Sequence, residues 1–224
     1  MNLREYYANL QTSDLYLPEC LNWTHFRFFL PQPMKVKDII KEPQRLLDLL
    51  RFYAPEHVFY TPSKFMDPTI IRKKGMDLSS NNFLFSPEYV LDVDRKELKD
   101  AKEATIKLLD HLYANNWIPN LIVFSGHKGW HIHLPFGFRS DSVDPRTREQ
   151  ETKQIKSSIT EELQKIATTD TIPSWDTRRI IRLPGTIHGT TGNLVEAVKR
   201  EDIKDYEPKH IVEIEHPIMF KDYL

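Results

Sequence analysis

A chain of 224 residues with 40% apolar and 28% charged side chains is long enough to bury a core and has the composition of a folded protein, which excludes disordered and collagen-like classes. Its formal net charge of -1 excludes a surface coated with basic groups for gripping duplex DNA, while leaving room for a local basic cleft. One cysteine, Cys20, excludes an intrachain disulfide framework and any zinc site built on several thiolates.

No apolar run reaches the roughly 20 residues a membrane-spanning helix needs, and the opening MNLREYY lacks the basic-then-apolar layout of a secretory signal. The expectation is a cytoplasmic protein with no membrane partner. No repeat, low-complexity tract or Gly/Ser linker marks a boundary. One domain over 1–224 is therefore expected, with an N-terminal region over residues 1–85, a core of about 86–200 and a tail 201–224. In chain order, apolar residues at helical spacing predict a helix within 37–53, its regular portion starting near Glu42 because Pro43 suits a first turn. Further helices are predicted over 96–114 and 147–167, whose charged faces and sparse apolar stripes fit surface helices covering a sheet. Between them HVFYT (57–61), YVLDVD (89–94), LIVFSG (121–126), WHIHLPF (130–136), RIIRL (179–183) and NLVEAV (193–198) are short, β-branched or aromatic, and predict strands. The fold class is α+β (mixed α/β), a mixed sheet flanked by helices.

Three segments carry chemistry. Asp92 and Asp94 lie two apart on a strand, so both carboxylates share one face. Such hard oxygen ligands suit Mg²⁺ or Mn²⁺; alternatively, a DxD at a strand end caps the helix that starts near Lys96. In SGHKGWHIHLP (125–135), a glycine turn between strands gathers Ser125, Gly126, His127, Lys128 and His131 where exposed N–H groups form a nest for phosphate oxygens. His131 and His133 share a face, so zinc ligation or a place in the core is the other reading for that pair. The third segment, DTIPSWDTRRIIRLPGTIHGTTG (170–192), holds Asp170, Asp176, Arg178, Arg179, Arg182 and His188. A positive charge at Arg182, on an apolar strand, calls for a carboxylate or a phosphate partner. Arg178 and Arg179 read either as solvent-exposed or as functional.

Taken in order, LDVD, SGHKGWH and RLPGTIHG resemble the catalytic core of the archaeo-eukaryotic primase superfamily, above all the archaeal DNA primase small subunit, over roughly 40–195. The family's Cys/His zinc knuckle has no counterpart, and the stretch between the phosphate loop and the third aspartate is short. The resemblance implies a template-dependent nucleotidyltransferase that synthesises or extends primers on single-stranded DNA by two-metal phosphoryl transfer. By position, Asp92, Asp94 and Asp170 are the implied ligands of Mg²⁺ or Mn²⁺, with Asp176 the alternative third ligand. Ser125, Gly126, His127, Lys128, His131, Arg182 and His188 are the implied triphosphate site. Implied partners are single-stranded DNA, nucleoside triphosphates and a primase large subunit, with nucleoid association during replication or repair. Two other roles stay open: a repair or mobile-element gap-filling polymerase, and a non-catalytic accessory subunit that binds single-stranded nucleic acid.

Overall fold

The computed structural model describes residues 1–30, 33–69, 81–167 and 175–214. Helix α1 spans Leu3–Asn9, where Asn2 and Glu5 form a capping box that satisfies the first free N–H groups. Helix α2 spans Pro43–Tyr53, with Glu42 as cap and the proline in the first turn, where its missing N–H costs nothing. Helix α3 spans Leu98–Ala114 and α4 Pro145–Gln164. The predicted helices are thus present, α4 starting slightly earlier and ending earlier than the pattern suggested.

The expected α+β class holds, and among the described residues eight strands form two four-stranded sheets. The first contains β1 (Phe26–Phe29), β2 (Pro33–Lys35), β3 (His57–Tyr60) and β9 (Ile181–Arg182), in the order β2-β1-β3-β9. The second contains β6 (Glu88–Val93), β7 (Leu121–Phe124), β8 (Trp130–Pro135) and β10 (Glu196–Ala197), in the order β10-β7-β8-β6. A small hairpin pairs β4 (Lys64–Phe65) with β5 (Phe83–Phe85). All of these pairings are antiparallel. The stretch from β9 to β10 therefore leaves the first sheet and enters the second.

Two apolar cores result among the described residues. Helices α1 and α2 and the first sheet enclose Phe26, Phe28, Leu46, Leu50, Val58 and Leu183, with Val90 of β6 joining them. Helix α3 and the second sheet enclose Leu91, Val93, Leu108, Leu112, Phe124, Trp130 and Ile132. Strand β6 lies between them: alternate side chains point to opposite faces, so Val90 reaches the first core while Tyr89, Leu91 and Val93 reach the second. No helix among the described residues is long and apolar enough to cross a membrane.

Candidate active site

The alternation that sends Tyr89, Leu91 and Val93 into one core leaves Glu88 and Asp92 on the other face of β6. On β8, Trp130, Ile132 and Leu134 enter the same core, leaving His131 and His133 on the face shared with those carboxylates. The ladder sets Asp92 opposite His131. Asp92 is 8% exposed, and its carboxylate accepts from the Arg179 guanidinium. Burial raises its pKa nonetheless, outweighing the nearby charges of Arg179 and Arg182. His131 Nε2 stands 3.8 Å from Asp92 Oδ1, too far for a hydrogen bond, and its buried Nδ1 has no hydrogen-bond partner among the described residues.

Asp94 follows the end of β6 and is exposed, so the two carboxylates of the DxD differ sharply in environment. The capping alternative does not describe Asp94, since the cap of α3 is Glu97, which makes no side-chain capping bond. Asp94 instead faces the glycine turn: a Cβ placed on Gly129 would lie 3.7 Å from its Oδ1.

That turn is closed by the Ser125 N–H donating to the Gly129 carbonyl at 2.9 Å. Gly126 has φ +91°, and a Cβ there would stand 2.5 Å from His188 Cβ, so both conformation and close approach demand glycine. Its carbonyl accepts from Thr191 Oγ1 at 2.6 Å and Asn193 Nδ2 at 3.0 Å. The second and third sequence segments are thereby clasped together. The His127 and His188 rings come within 5.6 Å, with Lys128 half-buried beside an exposed His127.

Arg182 pairs across the ladder with Phe59, its guanidinium 4.8 Å above that ring, and Nη1 donates to His57 Nδ1 at 2.7 Å. The partner expected for this charge was a carboxylate or a phosphate; its contacts within the chain include an imidazole and an aromatic face, and Asp92 acts on it through space. Burial lowers its pKa to about 9. Burial also holds His188 and His131 well below the ordinary imidazole value, aided for His188 by Arg182, His57 and His127, and for His131 by His133, Arg179 and Arg182. His127 moves the same way, through burial and Lys128. The imidazoles are thus neutral hydrogen-bonding groups, and the positive charge sits on the arginines and Lys128.

Neither Arg178 nor Arg179 is a loose surface group. Arg178 Nε donates to Glu149 Oε1 at 3.2 Å, and Thr177 Oγ1 donates to the same carboxylate at 2.6 Å, which ties this segment to α4. Asp176 and Asp92 line one small cavity of about 10 Å³ together with Pro62, Ser63, Val90, Lys156, Arg179 and Ile181. Asp170 lies outside the described residues. Among the described residues no group of three or more His, Cys, Asp or Glu side chains is arranged to hold a metal ion. The His131–His133 pair is divided between two clusters, because His133 Nδ1 bonds Glu88 Oε2 at 2.7 Å.

Reading by motif missed His57, the Arg179–Asp92 pairing and Lys156. A histidine heading the apolar strand HVFY was a usable signal, since a polar ring in such a strand needs a partner. Arg179 and Lys156 had none, lying 87 and 64 residues from Asp92 along the chain.

No family model matches this chain. An uncharacterized DNA primase small subunit-like protein of Archaeoglobus fulgidus is 24% identical over 232 aligned positions, covering 88% of this chain and 74% of that protein. The DNA primase small subunit PriS of Pyrobaculum calidifontis is 25% identical over 209, covering 71% and 65%. Its counterpart in Pyrobaculum arsenaticum is 29% identical over 140, covering 48% and 45%. The match thus spans only 45% to 65% of the length of those two PriS subunits. Among solved structures, the polymerase domain of Mycobacterium tuberculosis Ligase D in complex with DNA superposes with a TM-score of 0.63 at 14% identity, over 92% of this chain and 83% of that one. At that identity the likeness is one of fold.

Proposed function

We propose that this chain, similar at 24% to 29% identity to a primase small subunit-like protein and to DNA primase small subunits, is a template-dependent nucleotidyltransferase of the primase or primase-polymerase type, joining nucleoside triphosphates on single-stranded DNA. The observation that carries the proposal is the meeting of buried Asp92 with Arg179, Arg182 and His131 at the seam of the two sheets, beside a cavity shared with Asp176. Phosphoryl transfer needs this composition: carboxylates for a hard cation and fixed donors for phosphate oxygens.

Asp92 and Asp94, with Asp170 or Asp176 as the third carboxylate, are the residues that would hold Mg²⁺ or Mn²⁺. Their oxygens match the preference of these ions, and a carboxylate whose burial outweighs its arginines gains most from a nearby cation. Asp176 lines the cavity with Asp92, and Asp170 lies outside the described residues. When bound, the metal supplies Lewis acidity that lowers the pKa of a primer hydroxyl and neutralises the leaving pyrophosphate.

The chain's own role is positioning. Ser125, the Gly126 N–H, His127 and Lys128 would present donors from the glycine turn, His131 and Arg182 from the facing strands, and His188 from the turn that follows β9. Arg179, beside Asp92, would add a second guanidinium for phosphate. The neutral imidazoles donate hydrogen bonds while Lys128, Arg179 and Arg182 carry the charge, and the Gly126–Thr191–Asn193 clasp holds the set in place before substrate enters. In this proposal residues 86–200 carry the chemistry, and the preceding region contributes His57 and Phe59 beneath Arg182.

The test is primer extension and de novo synthesis on single-stranded DNA with Mg²⁺ or Mn²⁺, comparing the wild-type chain with Asp92→Ala/Asp94→Ala. Metal-dependent products from wild type alone are expected, and de novo products would place the chain with primases rather than gap-filling polymerases. Adding a primase large subunit tests whether a partner is needed. Robust synthesis by the double variant would overturn the proposal, and Asp176→Ala beside Asp170→Ala identifies the third carboxylate by which one abolishes synthesis.

A further inference from the structure

His57 belongs to none of the three motif segments, yet one of its atoms ties two portions of the proposed phosphate site together. It opens β3, fully buried, paired in register with Phe29. Its ring lies edge-on to Phe29 at 6.2 Å and to His188 at 5.3 Å. Nδ1 accepts from Arg182 Nη1 at 2.7 Å and from the Gly189 N–H at 3.2 Å. A guanidinium and a backbone amide only donate, so Nδ1 carries no proton and the neutral tautomer with hydrogen on Nε2 is imposed. Gly189 follows His188 directly and fits tightly against the start of β3: a Cβ on it would stand 2.7 Å from both Glu56 Cβ and the Glu56 carbonyl oxygen. The strand that carries Arg182 and the turn that carries His188 are therefore referenced to the same nitrogen.

We propose that His57 is a positioning residue for nucleoside triphosphate binding, acting through Arg182 and the His188 turn; the proposal rests on the nucleotidyltransferase assignment above. His57 engages one Nη of Arg182 and orients the rest of the planar fork, whose remaining donors serve phosphate oxygens. The Phe59 face beneath the guanidinium limits its tilt. Without an acceptor at Nδ1 the guanidinium loses its reference and the Gly189 amide loses its partner, which weakens binding of the triphosphate more than the chemical step.

The experiment uses the full chain with His57→Leu, which removes the acceptor, His57→Asn, whose amide oxygen can occupy the place of Nδ1, and His57→Gln, whose oxygen reaches the place of Nε2. Thermal melting of each variant checks the fold. KM for nucleoside triphosphate and kcat are then measured with saturating metal. His57→Leu is expected to raise KM about tenfold or more, the scale of one charge-assisted hydrogen bond, with kcat changed less than about threefold. His57→Asn should return KM to within about threefold of wild type, and on an Arg182→Ala background His57→Leu should add less than about twofold, because coupled residues are not additive. If His57→Leu does not fold, the contrast of a working Asn variant with an impaired Gln variant carries the same information. Equal impairment of Asn and Gln, unchanged KM in His57→Leu, or full additivity with Arg182→Ala would each overturn the role of His57 while leaving the assignment standing. A wild-type chain that neither binds triphosphate with metal nor incorporates it removes both together.

Discussion

Glu88 and Asp92 stand four residues apart on one face of β6, both buried, each with an imidazole of β8 nearby. Their surroundings separate them. Glu88 bonds His133 Nδ1 at 2.7 Å and lies among the buried ammonium groups of Lys64 and Lys156. Lys156 Nζ donates to Ser86 Oγ at 2.6 Å and to the Glu88 carbonyl at 3.0 Å, and Lys64 Nζ donates to Thr24 Oγ1 at 2.8 Å. Although burial opposes it, His133 and the two lysines hold the Glu88 carboxyl below its ordinary pKa. Asp92 has arginines for neighbours and no bond to His131, and burial wins. Buried charge by itself is thus no mark of a functional site. What distinguishes the Asp92 end is a carboxylate whose burial outweighs its positive neighbours, where at Glu88 the neighbours outweigh burial.

The sharpest way to break this contrast is to neutralise each carboxylate in turn. Asp92→Asn is expected to bring nucleotide incorporation down to background while changing unfolding free energy by about 1 kcal/mol or less, since the fold already disfavours that charge. Glu88→Gln should do the reverse on stability, costing about 3 kcal/mol or more because it strands two buried lysines. Urea denaturation of both variants decides; a stability loss larger for Asp92→Asn than for Glu88→Gln would erase the distinction.

The pH dependence of stability offers a subtler test. A depressed carboxyl pKa at Glu88 contributes stability that is present above the ordinary value of 4.5 and lost as pH falls through the lower folded value. Glu88→Gln should flatten that acid limb. Lys156 has the opposite lever: burial lowers its pKa from 10.5 to about 7, so between those values the folded chain binds fewer protons than the unfolded one and stability rises with pH. Denaturation midpoints across that window should climb in wild type and climb less in Lys156→Met; an unchanged slope would remove the lysine from the cluster's energetics. The smallest expected effect is at the exposed Asp94. Asp94→Asn should leave unfolding free energy within about 0.5 kcal/mol, and its nucleotide incorporation, assayed beside the Asp92 variant, should nonetheless collapse.

Several elements were readable because their cause is local. Pro43 marked the start of α2, and alternation in YVLDVD and WHIHLP identified β6 and β8 and assigned their faces. Strand β1, with the run FRFF, and helix α1, whose Asn2–Glu5 capping box is written in the sequence, were not anticipated. Helix α4 was found, but its buried face was not. The stripe that packs inward is Glu149, Thr152, Lys156, Thr160 and Leu163, nearly all polar, so hydrophobic periodicity could not indicate it. A partner on another element makes such a stripe buriable: Thr160 Oγ1 lies 2.6 Å from Tyr89 Oη, Lys156 serves Ser86, and Glu149 holds Thr177 and Arg178.

The candidate site divides in the same way. The residue types at 92, 94, 125–131, 182 and 188, with their order, were in the sequence, and so was the glycine at 126 whose positive φ the turn requires. That Arg179 meets Asp92 across 87 residues, that Arg182 meets His57 across 125, and that Asp176 shares a cavity with Asp92 only the tertiary structure decided. Backbone propensity and side-chain alternation act between neighbours and can be read along the chain. Which charges are brought together, and which are left undercompensated, depends on how two sheets close on one another, and that is settled by packing over the whole molecule.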